Sequence, residues 1–117
     1  GVEEAVFVRD GAVTEGTHTN FAALLDGALV TPPLSQYVLA GVTRQTVLEL
    51  CRGLGIPVVE FPILERRLEQ ARECMILSTF LEVMPVVDID GRPVGDGSPG
   101  PVTRRLQRAF AELTARL

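Results

Sequence analysis

Short apolar runs separated by Asp-Gly pairs make up the beginning of the chain. A run at 5–8 precedes Asp10-Gly11, and runs at 21–25 and 28–31 flank Asp26-Gly27. Asp-Gly pairs favour tight hairpin turns, because glycine accepts a positive φ without a steric penalty. The pattern predicts two β-hairpins, with a polar segment between them.

The spacing of apolar residues becomes helical after Thr43, which stands where an N-cap or first-turn residue belongs. The apolar positions of this first helix are Val47, Leu48, Leu50, Cys51 and Leu54. Gly55 is expected to end the helix as a C′ glycine. A final helix is predicted from Val102 to Leu117, with an exposed face that carries Arg104, Arg105 and Arg108.

The segments between these helices predict further strands. Pro32-Pro33 ends the second hairpin, and Pro57 places a strand at 56–61 near a sheet edge. A short charged helix is expected at 64–71, then a buried strand at 75–77 and a strand at 83–89 that Asp90-Gly91 turns back. The order of elements predicts an α+β fold, in which residues 1–117 form a single domain with a mixed or antiparallel sheet covered by helices.

Composition narrows the function. The chain has 117 residues, 46% of them hydrophobic, with a net charge of −4, which disfavours nucleic acids and anionic membranes as partners. No apolar run reaches the ~20 residues of a membrane span. The mean hydropathy of +0.25 is high, and we interpret the excess as apolar surface that meets another domain or subunit.

The candidate metal and thiol residues do not form a recognisable site in the sequence. Cys51 and Cys74 are too far apart for a zinc motif, and we interpret them as reduced, buried thiols of a cytoplasmic protein. The acids Asp88, Asp90 and Asp96 lack the remaining ligands of a calcium loop, so no metal is expected. All eleven basic residues are arginine, so the chain has no side-chain amine.

Three polar stretches carry the candidate chemistry. Thr14–Asn20 is interpreted as a loop that forms the floor of a small-molecule site, 39–43 opens the first helix, and Ser78-Thr79 ends a strand. A helix N-terminus offers free N–H groups and partial positive charge, and Gly41 lets a ligand approach the backbone, which suits a phosphate. The alternative for this segment is an ordinary capped helix. Together the stretches predict a site for a phosphorylated cofactor.

Two residues of the first stretch have ionisable side chains. In a half-buried pocket, Glu15 would have a shifted pKa and would hold a proton on a nitrogen heterocycle; the alternative is an exposed loop acid. His18 is a candidate general base, although a single histidine in a polar loop more often positions other groups.

These stretches, in this order, resemble the class IV (fold-type IV) pyridoxal-phosphate-dependent aminotransferases, and in particular their D-amino acid (D-alanine) aminotransferase branch. The motifs that carry the resemblance are Thr14–Asn20, 39–44, Ser78-Thr79 with Glu82–Val86, 91–93 and 97–104. The resemblance covers nearly the whole chain, and it implies the fold of the large C-terminal domain of these enzymes.

The resemblance implies pyridoxal 5′-phosphate as cofactor and a role for each matching residue. Glu15 would pair with the pyridine nitrogen, Leu39 would pack on the ring, and Ser78 would lie on the substrate side of the cofactor. The phosphate would be bound by Gly41, Val42, Thr43 and Thr79. Residues on the substrate side would be Thr17, His18 and Thr19. Glu15, Leu39, Thr43 and Thr79 are therefore predicted to converge on one cleft.

The departure from the family pattern concerns lysine. The Schiff-base lysine of the family, and its small N-terminal domain, precede the segment that begins here at Gly1. We therefore expect a C-terminal fragment that contains no catalytic residue, is inactive alone, and buries its apolar surface in a homodimer.

Several functions remain open on the sequence alone. The first is transfer of an amino group between a (D-)amino acid and a 2-oxo acid. The alternatives within the family are 4-amino-4-deoxychorismate lyase and branched-chain aminotransferase, and the alternative outside it is a non-catalytic binding or assembly module. Coding sequence upstream of residue 1 would separate the enzyme from the module.

Overall fold

The computed structural model describes residues 6–9, 12–16, 20–33, 42–78, 82–89 and 91–116. Its strands are β1 (Val6–Arg9), β2 (Ala12–Gly16), β3 (Asn20–Leu25), β4 (Ala28–Thr31), β5 (Val58–Glu60), β6 (Ile63–Leu64), β7 (Glu73–Ser78), β8 (Glu82–Val86), β9 (Asp88–Ile89) and β10 (Arg92–Pro93). Its helices are α1 (Val42–Leu54), α2 (Pro101–Thr114) and a 3₁₀ helix, Glu65–Gln70.

The central sheet has five strands in the order β5-β4-β3-β7-β8. The β4–β5 pair is parallel and the other three pairs are antiparallel, which confirms the predicted α+β fold with a mixed sheet. In the central sheet, proline lies at the edges, where a missing N–H donor costs no ladder hydrogen bond. Pro57 directly precedes edge strand β5, and Pro85 lies in edge strand β8. The predicted edge position of the 56–61 segment is confirmed.

Alternation along the central strands produces two separate apolar faces. In β3, Ala22 packs with Met75 of β7 on one face, while Phe21 and Ala23 pack with Cys74 on the other. Helices α1 and α2 cover the first face through Val47, Cys51, Leu106 and Phe110. The second face is covered by Ile63 of β6, by Ala71 and Val94, and by the partly buried Leu68 of the 3₁₀ helix. The core therefore lies in two layers, one on each side of the sheet.

The predicted ends of several elements are confirmed. Asp26 and Gly27 both have positive φ, 51° and 81°, in the two-residue turn between β3 and β4. At the end of α1, Ile56 N–H donates to Cys51 O at 2.9 Å and Gly55 adopts φ +75°, as in a Schellman cap. β1 and β2 also pair as predicted, although residues 10 and 11 between them lie outside the described ranges.

Three sequence-based expectations need correction. Thr14, Glu15 and Gly16 belong to strand β2 rather than to a loop, because the β1–β2 ladder continues past a bulge to the Val6–Gly16 pair. The charged helix after Leu64 is a six-residue 3₁₀ helix. The strand expected at 83–89 is divided at Val87 into β8 and β9, and β9 pairs with β10 in its own small sheet.

Across the described ranges, the structure contains no helix whose length and hydropathy would suit a membrane span.

Candidate functional site

Four strands of the central sheet contribute to one end of it. Because β3 is antiparallel to both β4 and β7, it begins where those two strands end, and β5, parallel to β4, ends there too. The residues at this end are Asn20, Thr31, Glu60 and Ser78. Since β4, β5 and β7 all end here, we call this end the carboxyl end of the sheet, and it is the candidate site because the predicted site residue Ser78 lies at it.

Helix α1 starts at the carboxyl end of the sheet. It follows β4 and leads into the parallel strand β5, so its first turn lies beyond the end of β4. Its first residue is Val42, and Thr43 is buried with 8% of its surface exposed. The first four N–H groups of a helix have no partner within it, and they carry the positive end of the helix dipole. This terminus is therefore able to bind an anion such as a phosphate group.

Arg44, in the first turn of α1, is a residue that sequence reasoning missed as part of the site. Its side chain is 2% exposed, and Nη2 donates to Pro32 O at 3.1 Å and to Glu60 Oε1 at 2.7 Å. A sequence signal existed, because a cation in the first turn opposes the helix dipole and therefore requires a nearby acceptor or acid. The acid itself is 16 residues away and could not be identified from local spacing.

Two side chains at the carboxyl end of the sheet reinforce its backbone. Thr31 is fully buried, and its hydroxyl donates to Phe21 O at 2.8 Å across the β3–β4 pair. Phe61 N–H donates to Thr31 O at 3.0 Å, which extends the contact between β4 and the chain beyond β5. These bonds hold the ends of three adjacent segments in a fixed arrangement next to the start of α1.

The structure brings several predicted site residues to the same end of the sheet. Ser78 is the last residue of β7, is 7% exposed and pairs with Glu82 of β8. Val42 and Thr43 begin α1, as described above. Asn20, predicted as the last residue of a loop, is instead the buried first residue of β3.

Glu15 is described at its backbone only. It is the fourth residue of β2, a strand that lies beside β3. Gly16 is four residues from Asn20, and four trans peptide units span at most about 14 Å, so β2 ends near the carboxyl end of the sheet. The convergence of Glu15 with the other predicted residues stays a prediction.

The remaining predicted site residues lie outside the described ranges. They are Thr17, His18, Thr19, Leu39, Gly41 and Thr79. Asp90, which the calcium interpretation had considered, lies outside them as well.

The other candidate acids serve local turns. Asp88 Oδ1 accepts from Gly91 N–H at 2.9 Å, and Asp96 Oδ1 accepts from the N–H and hydroxyl of Ser98 at 3.0 and 2.7 Å. The hydrogen bond from the Ser98 hydroxyl lowers the pKa of Asp96. Among the described residues, no group of three or more His, Cys, Asp or Glu side chains is arranged to hold a metal ion.

The two cysteines are free thiols buried on opposite faces of the central sheet. Burial raises the pKa of Cys51 from 9.0 to about 11 and that of Cys74 from 9.0 to about 12. A thiol with such a pKa is protonated near neutral pH and is a poor nucleophile. The thiols therefore belong to the core and not to the candidate site.

Comparison with known proteins identifies the family. Residues 1–89 match the family model described as Amino-transferase class IV. The chain is 42% identical over 107 residues to the D-alanine aminotransferase of Bacillus licheniformis, which covers 92% of this chain and 38% of that enzyme. It is 40% identical over 101 residues to the branched-chain-amino-acid aminotransferase of Salmonella typhimurium, which covers 86% of this chain and 33% of that enzyme. The chain belongs to the class IV aminotransferase family.

A solved structure confirms the fold assignment. The T.th. branched-chain amino acid aminotransferase, solved with pyridoxamine 5′-phosphate, has a TM-score of 0.89 to this chain at 34% identity. The match covers 94% of this chain and 37% of that structure. The chain therefore spans between 33% and 38% of the length of these three relatives.

Proposed function

We propose that the protein containing this chain transfers an amino group between an amino acid and a 2-oxo acid with pyridoxal 5′-phosphate as cofactor. The observation that carries the proposal is the N-terminus of α1, whose first turn contacts the chain just after β4 and the end of β5 through Arg44, in a class IV aminotransferase chain. A helix N-terminus carries partial positive charge and free N–H groups, which suits it to hold the phosphate of such a cofactor.

The residues present fit a phosphorylated pyridine. The N–H groups at Val42 and Thr43, with the Thr43 hydroxyl, Thr79 and Gly41, would bind the phosphate. Leu39 would pack on the ring, and the Glu15 carboxylate would hold a proton at the pyridine nitrogen. When bound, the cofactor supplies an electron sink for the charge that develops when a substrate Cα proton leaves.

The substrate side of the site is assigned to a second set of residues. Ser78 at the end of β7 would orient the substrate carboxylate or amine by hydrogen bonding. Thr17, His18 and Thr19 would line the same side, and their hydroxyl and imidazole groups are suited to bind polar substrate atoms. His18 is assigned a positioning role, because the proton at Cα is moved by an amine in this chemistry.

We infer that the amine required by the reaction lies outside these 117 residues. In this cofactor chemistry a primary amine of the protein would hold the cofactor and, once displaced by the substrate amine, would move the substrate proton. The eleven basic residues of this chain are all arginine, whose guanidinium is protonated at every relevant pH. The lysine, together with a further N-terminal domain, is therefore proposed to come from sequence before residue 1.

A D-amino acid is the first proposed substrate and a branched-chain amino acid is the second. The Glu-Gly-Thr-His-Thr-Asn run at 15–20 favours the first, and so does the 42% identity to a D-alanine aminotransferase. The second is supported by the 40% identity to a branched-chain enzyme and by the TM-score of 0.89 to another.

The test uses the full-length protein loaded with pyridoxal 5′-phosphate. D-alanine or L-leucine is supplied with 2-oxoglutarate, and the 2-oxo acid formed from each amino donor is quantified over time. We expect turnover with at least one donor, and the ratio of the two kcat/KM values assigns the substrate class. Pyruvate release from 4-amino-4-deoxychorismate without an amino acceptor would replace the transaminase assignment by the lyase. Absence of any turnover in the cofactor-loaded protein would contradict the enzyme assignment and favour a binding or assembly module.

A cytoplasmic homodimer is proposed for the assembled protein. Val59 of edge strand β5 and Phe61, which directly follows that strand, are 43% and 63% exposed, and exposed apolar side chains at a sheet edge are commonly covered by another subunit or domain. Two buried free thiols suit a reducing compartment. Sedimentation analysis of the full-length protein should give a dimer, and a monomer at high concentration would contradict this part of the proposal.

A further inference from the structure

Arg44 and Glu60 form a buried link between three elements at the carboxyl end of the sheet. The Arg44 side chain is 2% exposed, whereas the Glu60 side chain is 46% exposed, so the cation lies inside and the acid at the surface. One nitrogen, Nη2, contacts both Pro32 O, just after β4, and Glu60 Oε1, at the end of β5. Arg44 Nε has no acceptor among the described residues, so these two contacts set the orientation of the guanidinium.

Stability alone gives a weak reason for this arrangement. A cation in the first turn of a helix opposes the helix dipole, and the attraction of a half-exposed carboxylate recovers little more than the cost of desolvating the buried cation. The pair instead fixes the position of the helix terminus. It ties the first turn of α1, directly beside Thr43, to the ends of two neighbouring parallel strands.

We propose that Arg44 and Glu60 are positioning residues for the phosphate site at the start of α1. This inference rests on the proposed function, because it assigns the Arg44–Glu60 pair to the site that Val42 and Thr43 are proposed to form. Arg44 does not touch the phosphate. It holds the helix terminus where the N–H groups of the first turn converge, and binding donors lose affinity steeply when displaced by a fraction of an ångström.

The test compares a phosphorylated probe with the same probe lacking the phosphate. Pyridoxal 5′-phosphate and pyridoxal are titrated separately into the full-length protein, with binding followed by absorbance. Arg44→Lys keeps the charge, but the lysine side chain is one bond shorter and its ammonium cannot lie at the Nη2 position that contacts both Pro32 O and Glu60 Oε1. Glu60→Gln keeps an acceptor but removes the compensating charge. Arg44→Lys is expected to weaken pyridoxal 5′-phosphate binding about tenfold, the factor that corresponds to one charge-assisted hydrogen bond. Pyridoxal binding should change less than about twofold, since the pair acts on the phosphate site alone.

Matched controls come from an exposed ion pair, Arg92 with Glu69, whose side chains are 72% and 64% exposed. Arg92→Lys and Glu69→Gln make the same chemical changes away from the carboxyl end of the sheet and should leave both affinities unchanged. Melting temperatures are recorded for every variant, and Glu60→Gln serves if Arg44→Lys fails to fold, because Glu60 lies at the surface.

The outcomes separate the inference from the proposed function. A wild-type protein that does not prefer pyridoxal 5′-phosphate over pyridoxal would overturn the phosphate site itself. A wild-type preference that persists within about twofold in Glu60→Gln and Arg44→Lys would overturn the positioning role, whatever happens to the melting temperature. A preference that falls in both variants, and in neither control, supports it.

Discussion

At the scale of single residues, the clearest link between distant parts of the sequence is the buried Glu73 carboxylate. Glu73 is the first residue of β7. Its carboxylate accepts hydrogen bonds from the N–H groups of Val102 and Thr103 at 3.1 and 2.7 Å and from the Thr103 hydroxyl at 2.7 Å. The N-cap residue of α2, Gly100, has no side chain to cap the helix, so a residue about 30 positions away supplies the acceptor. A carboxylate at a helix N-terminus is also favoured by the dipole.

Gly100 is required at this N-cap by close approach rather than by backbone conformation. A Cβ built there would lie 2.2 Å from Cδ of Glu73, while φ is −87°, which any residue adopts. Gly100→Ala is therefore expected to displace the capping carboxylate and to lower the free energy of unfolding by roughly 1–3 kcal/mol. Urea denaturation of the purified protein measures the change.

A double-mutant cycle isolates the cause of that loss. Glu73→Ala removes the atoms that a Cβ at position 100 would meet. In this background, Gly100→Ala should cost less than in the wild type, because the two positions are in contact and their effects are not additive. Equal costs in both backgrounds would show that the close approach is not the reason for glycine.

The two core thiols make the free energy of unfolding depend on pH in the alkaline range. Burial raises the pKa of Cys51 to about 11 and of Cys74 to about 12, so above pH 9 the unfolded chain releases protons that the folded chain retains. Stability from this source is complete below the unfolded pKa and declines as pH rises toward the folded values, by at most about 1.4 kcal/mol per pH unit for each thiol. Urea unfolding between about pH 8.5 and about pH 10.5 should show the decline, which the Cys51→Ala/Cys74→Ala variant should reduce. An unchanged slope in that variant would assign the decline to other groups.

At the scale of elements, local turn chemistry predicted the boundaries best. The turn at Asp26-Gly27 and the helix end at Gly55 were predicted because such residues adopt a positive φ easily. All three residues have positive φ. Elements that depend on a distant partner were predicted poorly. Thr14–Gly16 has the polar composition of a loop, yet it is a strand because β1 supplies its hydrogen bonds.

The same difference explains the other two corrections. The segment after Leu64 has a helical composition, but the chain returns to the sheet at Arg72, whose N–H donates to Leu24 O at 3.0 Å. Only a short 3₁₀ helix, Glu65–Gln70, fits between the two strand contacts. Val87 interrupts the predicted strand because its carbonyl accepts from Val94 N–H at 2.9 Å instead of joining the central ladder.

Helix α1 offers a matched pair of substitutions that tests the assignment of its end. Added Cβ atoms at Gly53 and at Gly55 would both enter open space, but Gly53 lies within the helix and Gly55 has φ +75°. Gly53→Ala should stabilise the protein by up to about 1 kcal/mol, because glycine loses more entropy in a helix. Gly55→Ala should destabilise it by about 1 kcal/mol, because a side chain is strained at positive φ. Thermal unfolding of both variants gives the two signs, and a shift in the same direction would contradict the cap.

At the scale of the whole molecule, the candidate site depends on topology that no local pattern contains. The family resemblance indicated Val42, Thr43 and Ser78, and the strand order explains why the start of α1 and the end of β7 share the carboxyl end of the sheet. Arg44 and Glu60 were not predicted, because their pairing depends on the parallel alignment of β4 and β5 across an intervening helix. Periodicity identified the elements, whereas the site required their arrangement in space.

The same scale decides what residues 1–117 can do without the rest of the protein. The phosphate donors proposed at Val42, Thr43 and Thr79 are all present in this segment. When it is expressed alone, and circular dichroism shows that it is folded, it should therefore bind pyridoxal 5′-phosphate weakly and non-covalently. Its only primary amine would be the α-amino group of its first residue, since the sequence contains no lysine. We therefore expect no measurable release of 2-oxo acid from D-alanine or L-leucine by the segment, and turnover by the full-length protein under the same conditions. Because the chemistry needs an amine that both bonds to the cofactor and moves the substrate proton, robust turnover by the segment would refute the assignment of that amine to residues before Gly1.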